Sequence, residues 1–363
     1  MILMVVSIAS AAPFAYIANG NNVSVVDTAT NNITATIAVG FSPYGVAVTP
    51  DGATVYVTNS DDNTISIIDT ATNAVTSTVN VGSYPRGVVI SPDGTRIYVA
   101  NAGDNTISVI NTTMDTVTAT VNVGICPLGV AVTPDGKKVY ITNYGIGYAD
   151  HNEDVAGNDT ISVIDTATNN VTATVNGFDF PYGVAVTPDG KKVYVTSGGG
   201  YNASSTVSVI ETSNNTVTAT VDGVYFPYGV AVTPDGKKVY VVNNQADSVS
   251  VIDTATNTIT ANVDVSESEG LGDPTGIAIT PDGKKVYVTK SSLKNAAVID
   301  TATNTVIGTV TVENYPSTFG KFIGGNIQKA KLNGSKAKAS LSKYKDKQKN
   351  HSKHHKAKKN HQL

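Results

Sequence analysis

One short box recurs seven times along this chain and leaves few folds open to it. In its fullest form it reads Ile68-Asp69-Thr70-Ala71-Thr72-Asn73, and its copies are centred on Asp27, Asp69, Asn111, Asp165, Glu211, Asp253 and Asp300. The spacings are 42, 42, 54, 46, 42 and 47 residues. A second box, Pro-Asp-Gly, recurs at Pro50, Pro92, Pro134, Pro188, Pro234 and Pro281. A fixed period of this length means that one supersecondary unit is repeated, each copy needing its neighbours to cover its apolar faces.

The unit spanning 43–84 reads as four strands, 45–49, 55–59, 64–69 and 74–81. Thr49-Pro50-Asp51-Gly52 is the first turn: Pro presets φ, Asp bonds to local backbone and Gly takes the positive φ. Thr70-Ala71-Thr72-Asn73 is a later one. In the fourth strand Val75 and Val79 alternate with Thr76 and Thr78, which marks an outer strand with one wet face. The inner strands carry β-branched residues on both faces, and no segment has a helical period. The chain begins mid-unit: 14–19, 23–27 and 33–39 match the second, third and fourth strands. The missing first strand stands at the far end, in Tyr315-Pro316-Ser317-Thr318-Phe319-Gly320-Lys321-Phe322-Ile323. The expected fold is therefore all-β: a seven-bladed β-propeller of four-stranded antiparallel blades, closed by pairing of the N- and C-terminal strands.

The second-strand box carries a family resemblance. It reads Tyr56-Val57-Thr58-Asn59, Tyr98-Val99-Ala100-Asn101, Tyr140-Ile141-Thr142-Asn143 and Tyr240-Val241-Val242-Asn243. It weakens to Tyr194-Val195-Thr196-Ser197 and Tyr287-Val288-Thr289-Lys290. With the other two boxes it resembles the YVTN-repeat propellers, in particular those of archaeal surface-layer proteins. The resemblance implies a cell-surface structural or adhesive role and supplies no catalytic residues.

Three parts follow: an apolar leader at 1–13, the propeller at 14–325, and a Lys/His-rich tail at 326–363 expected to be disordered. The leader ends in Ala9-Ser10-Ala11, like a signal-peptidase site, but lacks a basic start, so it reads as a truncated signal peptide and the protein as exported to the cell surface. Nine Asn-x-Ser/Thr sequons, among them Asn22, Asn158 and Asn333, are compatible with that address. From Lys329 onward there are 12 Lys against the single acid Asp346, a net of +11, while the remainder of the chain stands at −15. Such a tail suits acidic cell-envelope polymers. With only Tyr344 as an aromatic it does not suit specific nucleic-acid reading. No stretch is apolar enough for a transmembrane segment.

A residue present in every blade cannot make an asymmetric site, so local function belongs where the repeat breaks. The largest break, 144–159, is twelve residues longer than the unit allows. In it Asp150, Asn152 and Asp154 alternate as oxygen ligands do in calcium loops, although Gly157 comes too late for an EF-hand turn. Lesser breaks are Ser197-Gly198-Gly199-Gly200-Tyr201, which lacks phosphate-loop spacing, and 265–273, where Glu267 and Glu269 are candidates for acid–base work. The single cysteine, Cys126, excludes an intrachain disulfide, and His151 is the one histidine before the tail. Beyond the calcium candidate no cofactor is expected. The reading is a non-enzymatic surface-layer-like scaffold that binds other surface proteins or acidic polymers through its blades and basic tail. The alternatives are a lactonase-like metal-dependent hydrolase and a soluble ligand-binding propeller. Three or more carboxylates converging on the axis would mark the hydrolase.

Overall fold

Strands of six or seven residues, punctuated by Pro-Asp-Gly and Asp-Thr turns, pair with their sequence neighbours in antiparallel register. In the computed structural model, which describes residues 13–145, 159–198, 205–267 and 272–324, they form seven separate four-stranded sheets. Blades 1 to 6 begin at Pro43, Pro85, Pro127, Pro181, Pro227 and Pro274, and blade 7 joins Phe14–Ala38 residues to Ile323–Gly324. The sole helix among the described residues is the 3-10 turn Asn244–Ala246.

Burial follows the alternation argued from sequence. In blade 1, Thr54–Asn59 and Thr64–Asp69 are buried almost throughout, whereas Ala74–Asn80 is mostly exposed. Each second strand plants one buried tyrosine between sheets: Tyr16, Tyr56, Tyr98, Tyr140, Tyr194, Tyr240 and Tyr287. Four of them also tie blade to blade. Tyr140, Tyr194, Tyr240 and Tyr287 donate their hydroxyls to Oδ1 of Asn215, Asn257, Asn304 and Asn31 at 2.7, 2.9, 2.8 and 2.5 Å. Each acceptor sits at positive φ in the next blade's Asp-Thr turn, a conformation asparagine tolerates well. Lys138, Lys192, Lys238 and Lys285 reach across the same seams to the carbonyls of Thr212, Thr254, Thr301 and Thr28 at 2.5–2.8 Å. The recurring Tyr and Lys positions are thus inter-blade hydrogen-bond donors.

Around the axis the first strands approach so closely that only glycine fits. A Cβ on Gly87 would lie 2.1 Å from the carbonyl oxygen of Leu128 in the next blade, and one on Gly45 2.2 Å from that of Arg86. The threonine of the second-strand box bridges this seam. Thr58 accepts from Gly45 N–H at 2.7 Å and donates to the Arg86 carbonyl at 2.8 Å; Thr142 and Thr196 repeat the arrangement.

The ring closes as expected, with an irregular clasp. Ile323–Gly324 pairs antiparallel with Ala15 and Phe14, and Tyr16 N–H donates to the Phe322 carbonyl at 2.9 Å. The segment 315–323 is not one regular strand, however. Between Ser317, bonded to Ala18, and Phe322, the chain leans onto blade 1. There Phe319 N–H donates to Tyr44 O at 3.0 Å and Val46 N–H to Phe319 O at 2.8 Å. Gly320, at φ +98°, supplies the turn that lets the segment serve two blades. Phe322 is fully buried in the core shared by blades 6, 7 and 1.

Candidate functional site

Antiparallel pairing places every fourth-to-first and second-to-third connection at one end of the disc, and every Pro-Asp-Gly and Asp-Thr turn at the other. The three breaks in the repeat join second to third or fourth to first strands, so their described flanks, Gly145, Asp159, Gly198, Ser205, Glu267 and Gly272, all belong to the first end. This is the loop face. The calcium candidates Asp150, Asn152 and Asp154, with His151 and Glu269, lie outside the described residues.

Glu267 is described, and it does structural work. Its Oε1 stands 2.6 Å from Lys290 Nζ, and its Oε2 accepts from Asn295 Nδ2 at 3.1 Å. Lys290, only 1% exposed, occupies the place where the box of five other blades has asparagine. Glu267 is the counter-ion of that buried lysine.

At the axis, the second residue of each first strand faces its counterparts from other blades. These residues are Tyr44, Arg86, Leu128, Tyr182, Tyr228 and Thr275, with Phe319 entering from the clasp. Tyr182 lies 4.2 Å from Tyr228 and 5.6 Å from Phe319 between ring centroids; Phe319 lies 5.9 Å from Tyr44. The hydroxyls of Tyr44 and Tyr182 hydrogen-bond across the axis, and the Arg86 guanidinium sits 4.7 Å over the Tyr44 ring. Burial drives the Tyr182 hydroxyl well above the usual tyrosine range, so it stays protonated. Aromatic rings fill the positions where a hydrolase would need converging carboxylates. Among the described residues no group of three or more His, Cys, Asp or Glu is placed to hold a metal ion.

The rim of this mouth is set by an unusual backbone. Ser42, Tyr84, Cys126, Phe180, Phe226 and Asp273, each preceding the proline that opens a first strand, have φ between +44° and +53°. Such residues cost about 1–2 kcal/mol each in the left-handed region. They are held there because their carbonyls accept backbone N–H groups of Ser60, Ala102, Tyr144, Gly198, Asn244 and Ser291 at 3.0–3.1 Å. Their own N–H groups are also capped: Tyr84 by Asn63 Oδ1 at 2.9 Å, Cys126 by Asn105 Oδ1 at 2.8 Å, and Phe180 by the Asp159 carboxylate. Asp159 thus stands where earlier blades use asparagine, and burial pushes its carboxyl up to about 6, with nearby Asp179 adding to the rise. The Cys126 thiol, buried beside Leu128, is pushed up to about 11, which makes it a poor nucleophile.

On the same connections Phe41, Tyr84, Tyr225 and Tyr315 are 60, 40, 63 and 58% exposed. These are the exposed aromatic side chains among the described residues, and all stand on the loop face. The sequence reading missed them. The signal was an aromatic residue one or two positions before a proline; Tyr315 was read only as the start of the closing strand, and the other three were given no role.

A family model for YNCE-like β-propellers matches residues 2–97 and 93–203. Among solved structures, hydrazine synthase of Kuenenia stuttgartiensis is similar, with a TM-score of 0.68 and 21% identity, covering 80% of this chain and 95% of that one. A functionally unknown protein from Desulfotomaculum acetoxidans DSM 771 is similar too, with a TM-score of 0.68 and 19% identity over 86% of this chain and 98% of that one. No curated protein matches. At such identities the structural likeness concerns the fold alone.

Proposed function

The chain belongs to the YNCE-like β-propeller family, and from that premise we propose that it is a non-enzymatic scaffold of the cell surface, adhering to its partner through the loop face. One observation carries the reading. The exposed aromatic rings and the breaks in the repeat gather on a single face, while the axial mouth of that face is filled by Tyr44, Tyr182, Tyr228 and Phe319. A filled axis leaves a surface rather than a pocket. Exposed aromatic rings are the residues through which surfaces of this kind gain contact energy. The surface-layer-like role and export rest on the sequence: the apolar leader, the sequons and the repeat boxes.

The test is binding of the purified full chain to envelopes isolated from its own cells. Phe41→Ala with Tyr225→Ala should weaken binding at least tenfold, whereas Lys137→Ala with Lys191→Ala on the opposite face should not. Unchanged binding in the aromatic variant would overturn the assignment of the face. Saturable turnover of lactones or esters in the presence of divalent metal, with no envelope binding, would overturn the non-enzymatic reading.

A further inference from the structure

The two faces of the disc differ in charge as well as in rings. Among the described residues the loop face carries eleven carboxylates, including Asp61, Asp62, Asp104 and Asp179, against three cations, Arg86, Lys290 and Lys294. One of those cations, Lys290, is buried against Glu267. On the turn face carboxylates have cations interleaved among them. Lys137, Lys191 and Lys284 stand 3.6–3.9 Å from the aspartates of their own Pro-Asp-Gly turns. The loop face thus combines exposed aromatic rings with surplus negative charge, a surface that favours alkylammonium groups through both ring faces and carboxylates. It already holds such a contact: Lys294 Nζ lies 5.5 Å over the Tyr315 ring.

This chain contains the complementary polymer. Residues 329–363 hold 12 lysines. Gly324, the last described residue, pairs with Phe14, which in turn pairs with Asp27, so the chain leaves the propeller at the turn face, opposite the rings. The 39 residues that follow reach up to about 130 Å when extended. When copies stack in the same sense, the turn face of one meets the loop face of the next. The geometry points to a head-to-tail contact in which the lysine-rich segment of one copy docks on the aromatic, acidic loop face of a second copy. The contact is heterologous, so it propagates into an open array, and many weak lysine contacts act together along one segment. This inference rests on the loop face being the interaction face.

The experiment is zero-length carbodiimide cross-linking of lysine to carboxylate on an equal mixture of 14N- and 15N-labelled full chains at low salt, read by mass spectrometry. Cross-links from lysines 329–359 should fall on Asp61, Asp62 and Asp104 in mixed-isotope pairs. They should exceed those to Asp51, Asp93 and Asp135 of the turn face several-fold and disappear by about 0.5 M salt, where charges are screened beyond a few ångströms. Tyr84→Ala with Tyr225→Ala should reduce them several-fold at unchanged melting temperature, and Tyr84→Phe with Tyr225→Phe should retain them. Cross-links found mainly on the turn face, found only within one copy, or indifferent to the alanine substitutions would each overturn the proposal. Absent cross-links with envelope binding still lost in Phe41→Ala/Tyr225→Ala would sink this inference and leave the function of the face standing.

Discussion

The turn face and the loop face are built from the same strands, yet the repeated turn aspartates and the loop-face Asp159 are held on opposite sides of the usual carboxylate range. On the turn face the hydroxyls of Ser91, Thr133, Thr187 and Thr233, then a backbone N–H two residues further on, hold Asp93, Asp135, Asp189 and Asp235 below the usual carboxylate range. On the loop face burial raises Asp159 to about 6. A turn closed by its own residues is solved in the same way in five blades, where a Ser or Thr hydroxyl donates to the turn aspartate. The loop-face connections repeat one backbone device, the left-handed residue before each first-strand proline, but vary in length and in the side chain that caps it. The conserved geometry of one face frees the other to vary, and the variable face carries the exposed rings.

The sharpest way to break this contrast is to cut the segment that closes the ring between the two faces. Ending the chain at Tyr315 removes the clasp that bonds to Tyr16, Ala18, Tyr44 and Val46. It should lower stability by several kcal/mol, a large part of a domain's net stability. Denaturant unfolding checks it, and a truncated chain melting like the full one would refute the clasp. Next in size is Lys290→Met. Removing the buried lysine leaves the partly exposed Glu267 without its counter-ion and should cost about 2–3 kcal/mol, most of it recovered in the double variant Lys290→Met/Glu267→Gln. If Lys290→Met alone is neutral, the loop face relaxes more freely than its packing implies.

Gly87→Ala, aimed at the axis between the two faces, forces a Cβ against the Leu128 carbonyl and should cost about 1–3 kcal/mol in the same assay. The smallest effect belongs to Asp159. Its folded value of about 6 lies above the ordinary aspartate value near 4, so the folded protein keeps the proton longer than the unfolded chain. The stability this gives is present below about pH 4 and is lost as pH rises through about 6. For a partly exposed carboxyl the loss is about 1 kcal/mol. Asp159→Asn, which restores the amide found at Asn63 and Asn105, should raise the melting temperature at pH 7.5 and leave it unchanged near pH 4. An equal gain at both values would show that charge is not the cause.

Much of the fold was legible because its causes are local. Thr49-Pro50-Asp51-Gly52 declares its turn, and Val75 to Val79 declares its wet face, from neighbouring residues alone. The clasp was legible as a missing strand but not as a kinked one, since its lean onto blade 1 depends on Gly320 meeting the Tyr44–Val46 edge. Of the candidate site, Glu267 drew attention as a possible acid or base. Its partner Lys290 looked like a weak copy of an asparagine until packing placed the two 2.6 Å apart.

By itself, then, the sequence determined the number of blades, the strand order and the closure of the ring: turn residues and side-chain alternation act over a few neighbours, and the repeat count, with a first strand missing at one end and supplied at the other, fixes the rest. Tertiary structure alone decided which residues meet at the axis. Tyr44, Tyr182 and Phe319 each occupy an unremarkable place in their own blade, and nothing within reach of any one of them specifies the others. They come within about 6 Å of one another in pairs because seven blades close into one ring, and only that closure turns separate first strands into a common aromatic mouth.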